Sequence, residues 1–374
     1  MFELTNDQRK CFGLLPVEDH WIRIELTPSP YDCHTTIAYL DGTTVKKFVA
    51  TGDHLYNEYE LCEELSPDLQ YILPKTTKGK PIRLSASTLS KRTGIGMCLS
   101  YSGNGSDYIC VYNRNSEREY YCNIYEPIAS IGNSDFPDWV DTWCRETTTE
   151  DMDDISQFAR LPRKHVRFRE GDVFRFKINR RLYGYGRILL DYSLLRKQGI
   201  PFWDVYMGKP LICSVYHIVT ERDNLTIHEL DHLPSLPSAP IMDNHLYYGD
   251  YEIIGNIPIR EQEDYPILYG DNNDARHPGL RLQCGKVFLA DPSQKALTYK
   301  LTDLSIGFHL RFQLSVLLQC IEAGSNSPYW QQISHYVEKD LRNPKFRTQL
   351  EMICKQFSIS PSDLIPSIKQ IPQA

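Results

Sequence analysis

Glu170-Gly-Asp-Val-Phe-Arg-Phe-Lys-Ile178, then Asn179-Arg-Arg181, then Leu182-Tyr-Gly-Tyr-Gly-Arg-Ile-Leu-Leu190 decides how the middle of this chain folds. Side chains alternate along a strand, so Phe174, Phe176 and Ile178 share one face while Val173, Arg175 and Lys177 share the other. In the returning segment Tyr183, Tyr185 and Arg187 are cofacial, and Gly184 and Gly186 lie two apart on the opposite face. A bare strip of backbone of this kind fits a bulge, a sharp bend or the close approach of another chain. The stretch therefore predicts a β-hairpin.

Working outward, further buried strands are predicted at Trp203 to Tyr206, Leu211 to Val219 and Tyr251 to Ile254, enough for a small, strongly bent sheet or a partly open barrel. The last part turns helical. Ile306 to Ala323 is long and apolar, and Ser327-Pro328, Asn343-Pro344 and Ser360-Pro361 each place a capping residue before a first-turn proline. Upstream, Ile22 to Leu26 alternates, and Thr35 to Leu40 precedes the hairpin signal Asp41-Gly42, answered by Val45 to Val49. Tyr108 to Asn113 and Tyr120 to Tyr125 flank a polar turn, Arg114-Asn-Ser-Glu117. A short helix is expected at Ser87 to Lys91. Pro137 to Arg145 puts Trp139, Val140 and Trp143 on one helical face. A second helix runs from Thr149 to Arg160, acids in its first turn, and Pro162 stops it. The expectation is an α+β chain. It has a mixed N-terminal domain over 1–161, of open role, and a second domain over 166–374 that is β-rich in 166–300 and helical in 304–374.

The 374 residues, 41% apolar and 24% charged, suit two globular domains. A net charge of −7 weighs against a nucleic-acid binder driven by global charge. The longest apolar run near the C-terminus, Leu314 to Cys320, is far short of the roughly 20 residues that cross a bilayer. The first residues carry neither a basic nor an apolar leader region. A cytoplasmic protein with no membrane partner is expected. Eleven cysteines, none in a C-x-x-C pair and most in apolar stretches, read as buried free thiols of a reducing compartment.

His228-Glu229-Leu-Asp-His232 matches the H-E-x-x-H pattern, whose chemistry needs a helix of several turns so that both imidazoles meet one metal. Pro234 and Pro237 end any helix there, so the bland reading is a surface turn and the alternative a metal-dependent hydrolase. Cys213 and His217 lie four apart in an extended segment, about 13 Å from each other, too far for proton transfer. No catalytic residue, metal ligand or cofactor is assigned. From Arg160 to Arg187 the chain carries Arg163, Lys164, Arg167, Arg169, Arg175, Lys177, Arg180 and Arg181, which reads as a solvated face or, alternatively, a track for single-stranded nucleic acid. Between Asp223 and Asp274 the sign reverses: Glu229, Asp231, Asp243, Asp250, Glu252, Glu261, Glu263, Asp264 and Asp271 face Arg260 alone. With Tyr247, Tyr248, Tyr251, Tyr265 and Tyr269 interleaved, this segment suits a basic protein partner. The candidate contacts are Asp243, Tyr247, Tyr248, Asp250, Glu252, Glu261, Glu263 and Asp264; ordinary solubility is the competing reading.

The run Glu170-Gly-Asp-Val-Phe-Arg-Phe with Tyr183-Gly-Tyr-Gly-Arg-Ile-Leu resembles the immunity protein 26 family of bacterial polymorphic toxin systems, as do Pro201-Phe-Trp-Asp-Val-Tyr206 and Ile253-Ile-Gly-Asn-Ile-Pro258. The resemblance covers about residues 166–260, with the C-terminal helices as an open extension, and rests on Gly171, Asp172, Phe174, Tyr183, Gly184, Tyr185, Gly186, Arg187 and Trp203. It implies stoichiometric neutralisation of a cognate toxin, without turnover. The family label is also attached to a phosphotriesterase, which on this chain would draw on His228, Glu229 and His232. A second likeness, Gly-Asp-Val-Phe followed by a Gly-x-Gly-Arg strand, is similar to the small barrel of toxin–antitoxin endoribonucleases and would give Arg187 and the basic run to RNA.

Overall fold

Short-range alternation of apolar residues builds the antiparallel sheets of this chain, and helices pack against them. The structure, a computed structural model, describes residues 2–27, 34–103, 107–126, 135–204, 206, 208–221, 225–261, 263–272, 279–296 and 306–364. Cys33, Val205, Asp223 and Asp274 lie outside the described residues. The fold is mixed α+β. It divides into two compact units, Met1–Lys164 with Ile178–Arg180, and His165–Lys177 with Arg181–Ala374.

The first unit holds β1 (Ile22–Leu26), β2 (Thr35–Asp41), β3 (Thr44–Gly52), β4 (Leu55–Glu64), the two-residue pair β5 (Tyr71–Ile72) and β6 (Ile82–Arg83), β7 (Ile95–Ser102), β8 (Tyr108–Asn113) and β9 (Arg118–Cys122). Among the described residues the main sheet runs β1-β2-β3-β4-β7-β8-β9, every pair antiparallel. Both faces are covered. On one, Ile37, Val49, Leu99 and Val111 pack under α1 (Asn6–Cys11), α3 (Asp135–Glu146) and α4 (Thr149–Ala159). On the other, Ala38, Leu40, Phe48 and Tyr59 pack with Ala86 and Leu89 of α2 (Ala86–Leu89). Val140 and Trp143 face the core as the helical spacing predicts; Trp143 stacks on Phe12 with centroids 5.6 Å apart, and its indole donates to the Cys11 carbonyl at 3.1 Å.

The second unit holds β10 (Asp172–Lys177), β11 (Leu182–Asp191), β12 (Pro210–Glu221), β13 (Ala239–Met242) and β14 (Glu252–Asn256), in the order β13-β12-β11-β10-β14, and a separate sheet of β15 (Ile267–Asn272), β16 (Gly279–Cys284) and β17 (Val287–Asp291). The five-stranded sheet is open, not a closed barrel. Helices α5 (Tyr192–Gln198), α6 (Ile227–Leu230), α7 (Asn244–Tyr247), α8 (Leu314–Ala323), α9 (Ser327–Trp330), α10 (His335–Glu338) and α11 (Arg347–Gln356) surround the sheets. Among the described residues no helix is long and apolar enough to cross a membrane.

Three expectations are corrected. Trp203 and Tyr206 are buried but not in a strand. The helix expected from Ile306 starts only at Leu314, because Leu310 and Phe312 alternate into the core with His309 and Arg311 between them, an extended pattern. Ser327 is itself helical, with Asn326 as the N-cap, whereas Asn343 caps its turn through the Lys345 N–H as expected. Of the ten described cysteines, all free thiols, seven are buried; Cys62 is exposed.

Candidate functional site

The register of the central hairpin explains its glycines. Phe174 pairs with Gly186 and Phe176 with Gly184. A Cβ on Gly184 would lie 2.5 Å from the tip of the Phe176 ring, and one on Gly186 would lie 2.5 Å from Phe174 and 2.7 Å from the Ser214 carbonyl oxygen. The bare strip is therefore filled by phenyl rings from the facing strand. That corrects the option of another chain approaching there. The bulge option fits: the β11–β12 register shifts between Gly184 and Gly186. Tyr251 stacks on Phe174 with centroids 5.2 Å apart.

The other signature residues do similar work. Gly171 takes a φ of +87°, and any Cβ there would press within 2.6 Å of the Ile257 carbonyl. Asp172 accepts from the Arg169 N–H and from Asn256 Nδ2, both at 2.8 Å, tying the start of β10 to β14. Tyr185 shares a hydrogen bond with Thr220 at 2.9 Å, and the Trp203 N–H donates to Gln283 at 2.7 Å. Arg187 forms a buried ion pair with Glu263, whose Oε1 also accepts the Arg260 N–H at 2.9 Å. Of the nine signature residues only Tyr183 reaches solvent appreciably, with Arg175 over its ring at 4.8 Å and Lys177 at 5.7 Å. The signature is a packing code that builds the sheet.

The acidic segment splits in two. Glu252 and Glu261 are exposed and Tyr247 and Tyr248 half-buried. The rest of the expected contact set turns inward, a correction with a physical cause in each case. Asp250 is buried against His245 at 2.9 Å, Glu263 against Arg187, and Asp264 against Arg342 at 2.5 Å, since a buried carboxylate needs a partner. Asp243 is nearly buried, and burial raises its carboxyl although Lys209 stands 3.9 Å away. Nor is the exposed part purely acidic. His165 stacks on Tyr247 at 4.5 Å, Lys209 lies 5.7 Å over the same ring, and Arg175 pairs with Glu252 at 2.5 Å. Glu263→Ala is expected to destabilise the second unit by about 2 kcal/mol by stranding Arg187, whereas Glu261→Ala stays within about 0.5 kcal/mol of wild type. Urea titrations of the two variants separate an inward acid from an outward one.

In the basic run Arg163, Lys164, Arg167 and Arg169 are exposed, whereas Arg180 and Arg187 are buried. Arg163 pairs with Glu117 at 2.9 Å, and Arg175 and Arg187 are engaged as above. Arg180, in the first unit, lies 4.4 Å over Trp143 and donates to the Trp143 carbonyl and to Thr147. Arg187, on which the RNA alternative relied, is enclosed with Glu263 and has no exposed face to offer. In the His-Glu-x-x-His segment, α6 is a single turn that ends before His232, and Glu229 caps it by accepting from the Thr226 N–H at 2.8 Å and the Thr226 hydroxyl at 2.6 Å. Glu229 is thereby turned back on its own helix. Cys213 lies opposite Ile188 and Ala239, burial holding its thiol far up, while His217 is bonded to Asn326 at 2.9 Å.

Sequence reasoning missed a buried cluster in which Arg342 bonds Asp264, Asp340 at 2.7 Å and the Ser238 carbonyl at 2.8 Å. A cavity of about 40 Å³ beside it, lined by Pro240, Tyr329, Tyr336, Asp340 and Arg342, has room for a few waters. No curated protein and no solved structure matches the chain. A family match does exist where the glycine–aromatic hairpin stands: residues 169–276 match the family described as Immunity protein 26.

Proposed function

We propose that this chain is an immunity protein that binds and neutralises a cognate toxin in the cytoplasm of the cell that makes it, one to one and without turnover. The observation that carries this reading is the match to immunity protein 26 over residues 169–276. Because the signature residues are buried, they hold the sheet in shape and leave recognition to the outer surface. The outward-facing residues of the acidic segment, Tyr247, Tyr248, Glu252 and Glu261, supply aromatic anchors and negative charge for a toxin with a basic surface.

Co-expression with the toxin encoded beside this gene tests the proposal: growth is restored, and a co-expressed pair that still kills refutes it. Within a rescued pair, Tyr247→Ala and Tyr248→Ala are expected to weaken the complex by more than about 1 kcal/mol each. Glu252→Arg with Glu261→Arg slows association most at low salt, since exposed charges act through long-range steering. Surface plasmon resonance at two ionic strengths reads both effects, and unchanged kinetics in all three variants moves the interface elsewhere.

A further inference from the structure

In the first unit, β8 and β9 bring Cys110 directly opposite Cys122. The pairing then slips: Val111 faces Tyr121, but Tyr112 faces Glu119, so Tyr120 is the extra residue of a bulge. In a regular strand, residues three apart point to opposite faces. The bulge turns Glu119 onto the face of Cys122, which is the kind of re-aiming bulges perform. As a result the two sulfur atoms and a carboxylate oxygen of Glu119 all lie within 4.8 Å of one another.

We propose that Cys110, Cys122 and Glu119 form a site for a zinc-class divalent cation, held by two thiolates and a carboxylate, with the fourth position open to water. Zinc takes sulfur at about 2.3 Å and carboxylate oxygen at about 2.0–2.2 Å in a tetrahedron. Ligand atoms within 4.8 Å of one another are close enough for one such ion to reach all three. The donor set also selects the ion. Calcium and magnesium require a shell of oxygens, and iron–sulfur clusters require about four cysteines. Two thiolates with one carboxylate suit zinc and its borderline-soft neighbours. Tyr108 completes the surroundings. It stands two residues before Cys110 on the same face of β8 and is 39% exposed. The site belongs to the unit outside the family match, and it stands whether or not the chain neutralises a toxin.

The test uses the full chain without an affinity tag that binds metal, purified under reducing conditions. Elemental analysis is expected to find one zinc per chain. Cobalt added to metal-free protein is expected to give thiolate-to-cobalt charge transfer together with tetrahedral visible bands. Cys110→Ser or Cys122→Ser abolishes both signals, Glu119→Gln weakens cobalt binding, and Cys98→Ser, a neighbouring buried cysteine outside the triad, leaves them unchanged, with circular dichroism confirming folding. If the cysteine variants unfold, Glu119→Gln decides: weakened cobalt affinity with the charge transfer kept supports the site, and unchanged affinity overturns it. Metal that binds without the charge transfer overturns the site. So does protein that carries no metal and takes up none, or is isolated two hydrogens lighter with Cys110 joined to Cys122.

Discussion

Gly186→Val is expected to lower the stability of the second unit by about 3 kcal/mol or more, beyond the usual cost of overfilling a core. The reason is geometric. A Cβ at position 186 meets the Phe174 ring at 2.5 Å on one side and the Ser214 carbonyl oxygen at 2.7 Å on the other. A ring can be trimmed, whereas a backbone carbonyl in the middle of a sheet cannot move without breaking its ladder. Gly184 differs, because all three nearest atoms there belong to the Phe176 ring. Gly184→Ala should therefore be rescued in large part by Phe176→Leu, with the double variant more stable than the sum of the single changes allows. Phe174→Leu should leave most of the Gly186 defect in place. Denaturant titrations of the single and double variants separate these outcomes. A Gly186→Ala protein within about 0.5 kcal/mol of wild type would show that the phenyl rings do not fill the glycine strip.

This hairpin also shows how far the sequence could be read. Its strands and faces follow from period-two alternation, and the glycine strip was visible as an oddity. What filled it depended on register, since a slip of one residue would point the phenylalanines away. The Ile22–Leu26 and Thr35–Leu40 strands, marked by alternation and an Asp-Gly turn, were legible for the same local reason. Strand β4 was not. Glu58 and Glu60 interrupt its apolar pattern, yet both are buried, and the cation that answers Glu58 most closely, Arg9, is 49 residues away. The candidate contact surface failed in the same way. Asp264 and Glu261 look alike in sequence, but Asp264 finds Arg342 at a separation of 78 residues and Glu261 remains outside. Short-range pattern separates strand from turn; it carries no information about which acid has a distant cation waiting. The Cys110–Glu119–Cys122 triad was hidden by its bulge, because a spacing of three in a strand argues against a shared face until an extra residue restores it.

The same buried acid supports the other large expectation. Glu58 is completely buried, accepting hydrogen bonds from Arg9 Nε at 2.7 Å and Nη2 at 3.4 Å and from the Tyr56 hydroxyl, with Lys47 Nζ 3.0 Å away as an ion pair. Burial opposes its charge, but Lys47 and Arg9 outweigh that and hold the carboxyl below its ordinary range near 4.5. Glu58→Gln keeps the shape and removes the charge, stranding two cations in the core of the first unit. The expected loss is about 3–5 kcal/mol, the range for breaking a buried ion pair from one side. The pH dependence follows from the direction of the shift. A carboxyl lowered in the folded state contributes its stability fully above the unfolded value and loses it as pH falls through the folded one. The gap between wild type and Glu58→Gln should thus be widest near neutral pH and shrink below about 4.5 as Glu58 itself takes up a proton. Glu60, which burial pushes upward, is present in both proteins and largely cancels from the difference. Thermal unfolding at a series of pH values measures the gap directly; a gap that stays constant into the acid range would mean that Glu58 does not hold Arg9 and Lys47 by its charge.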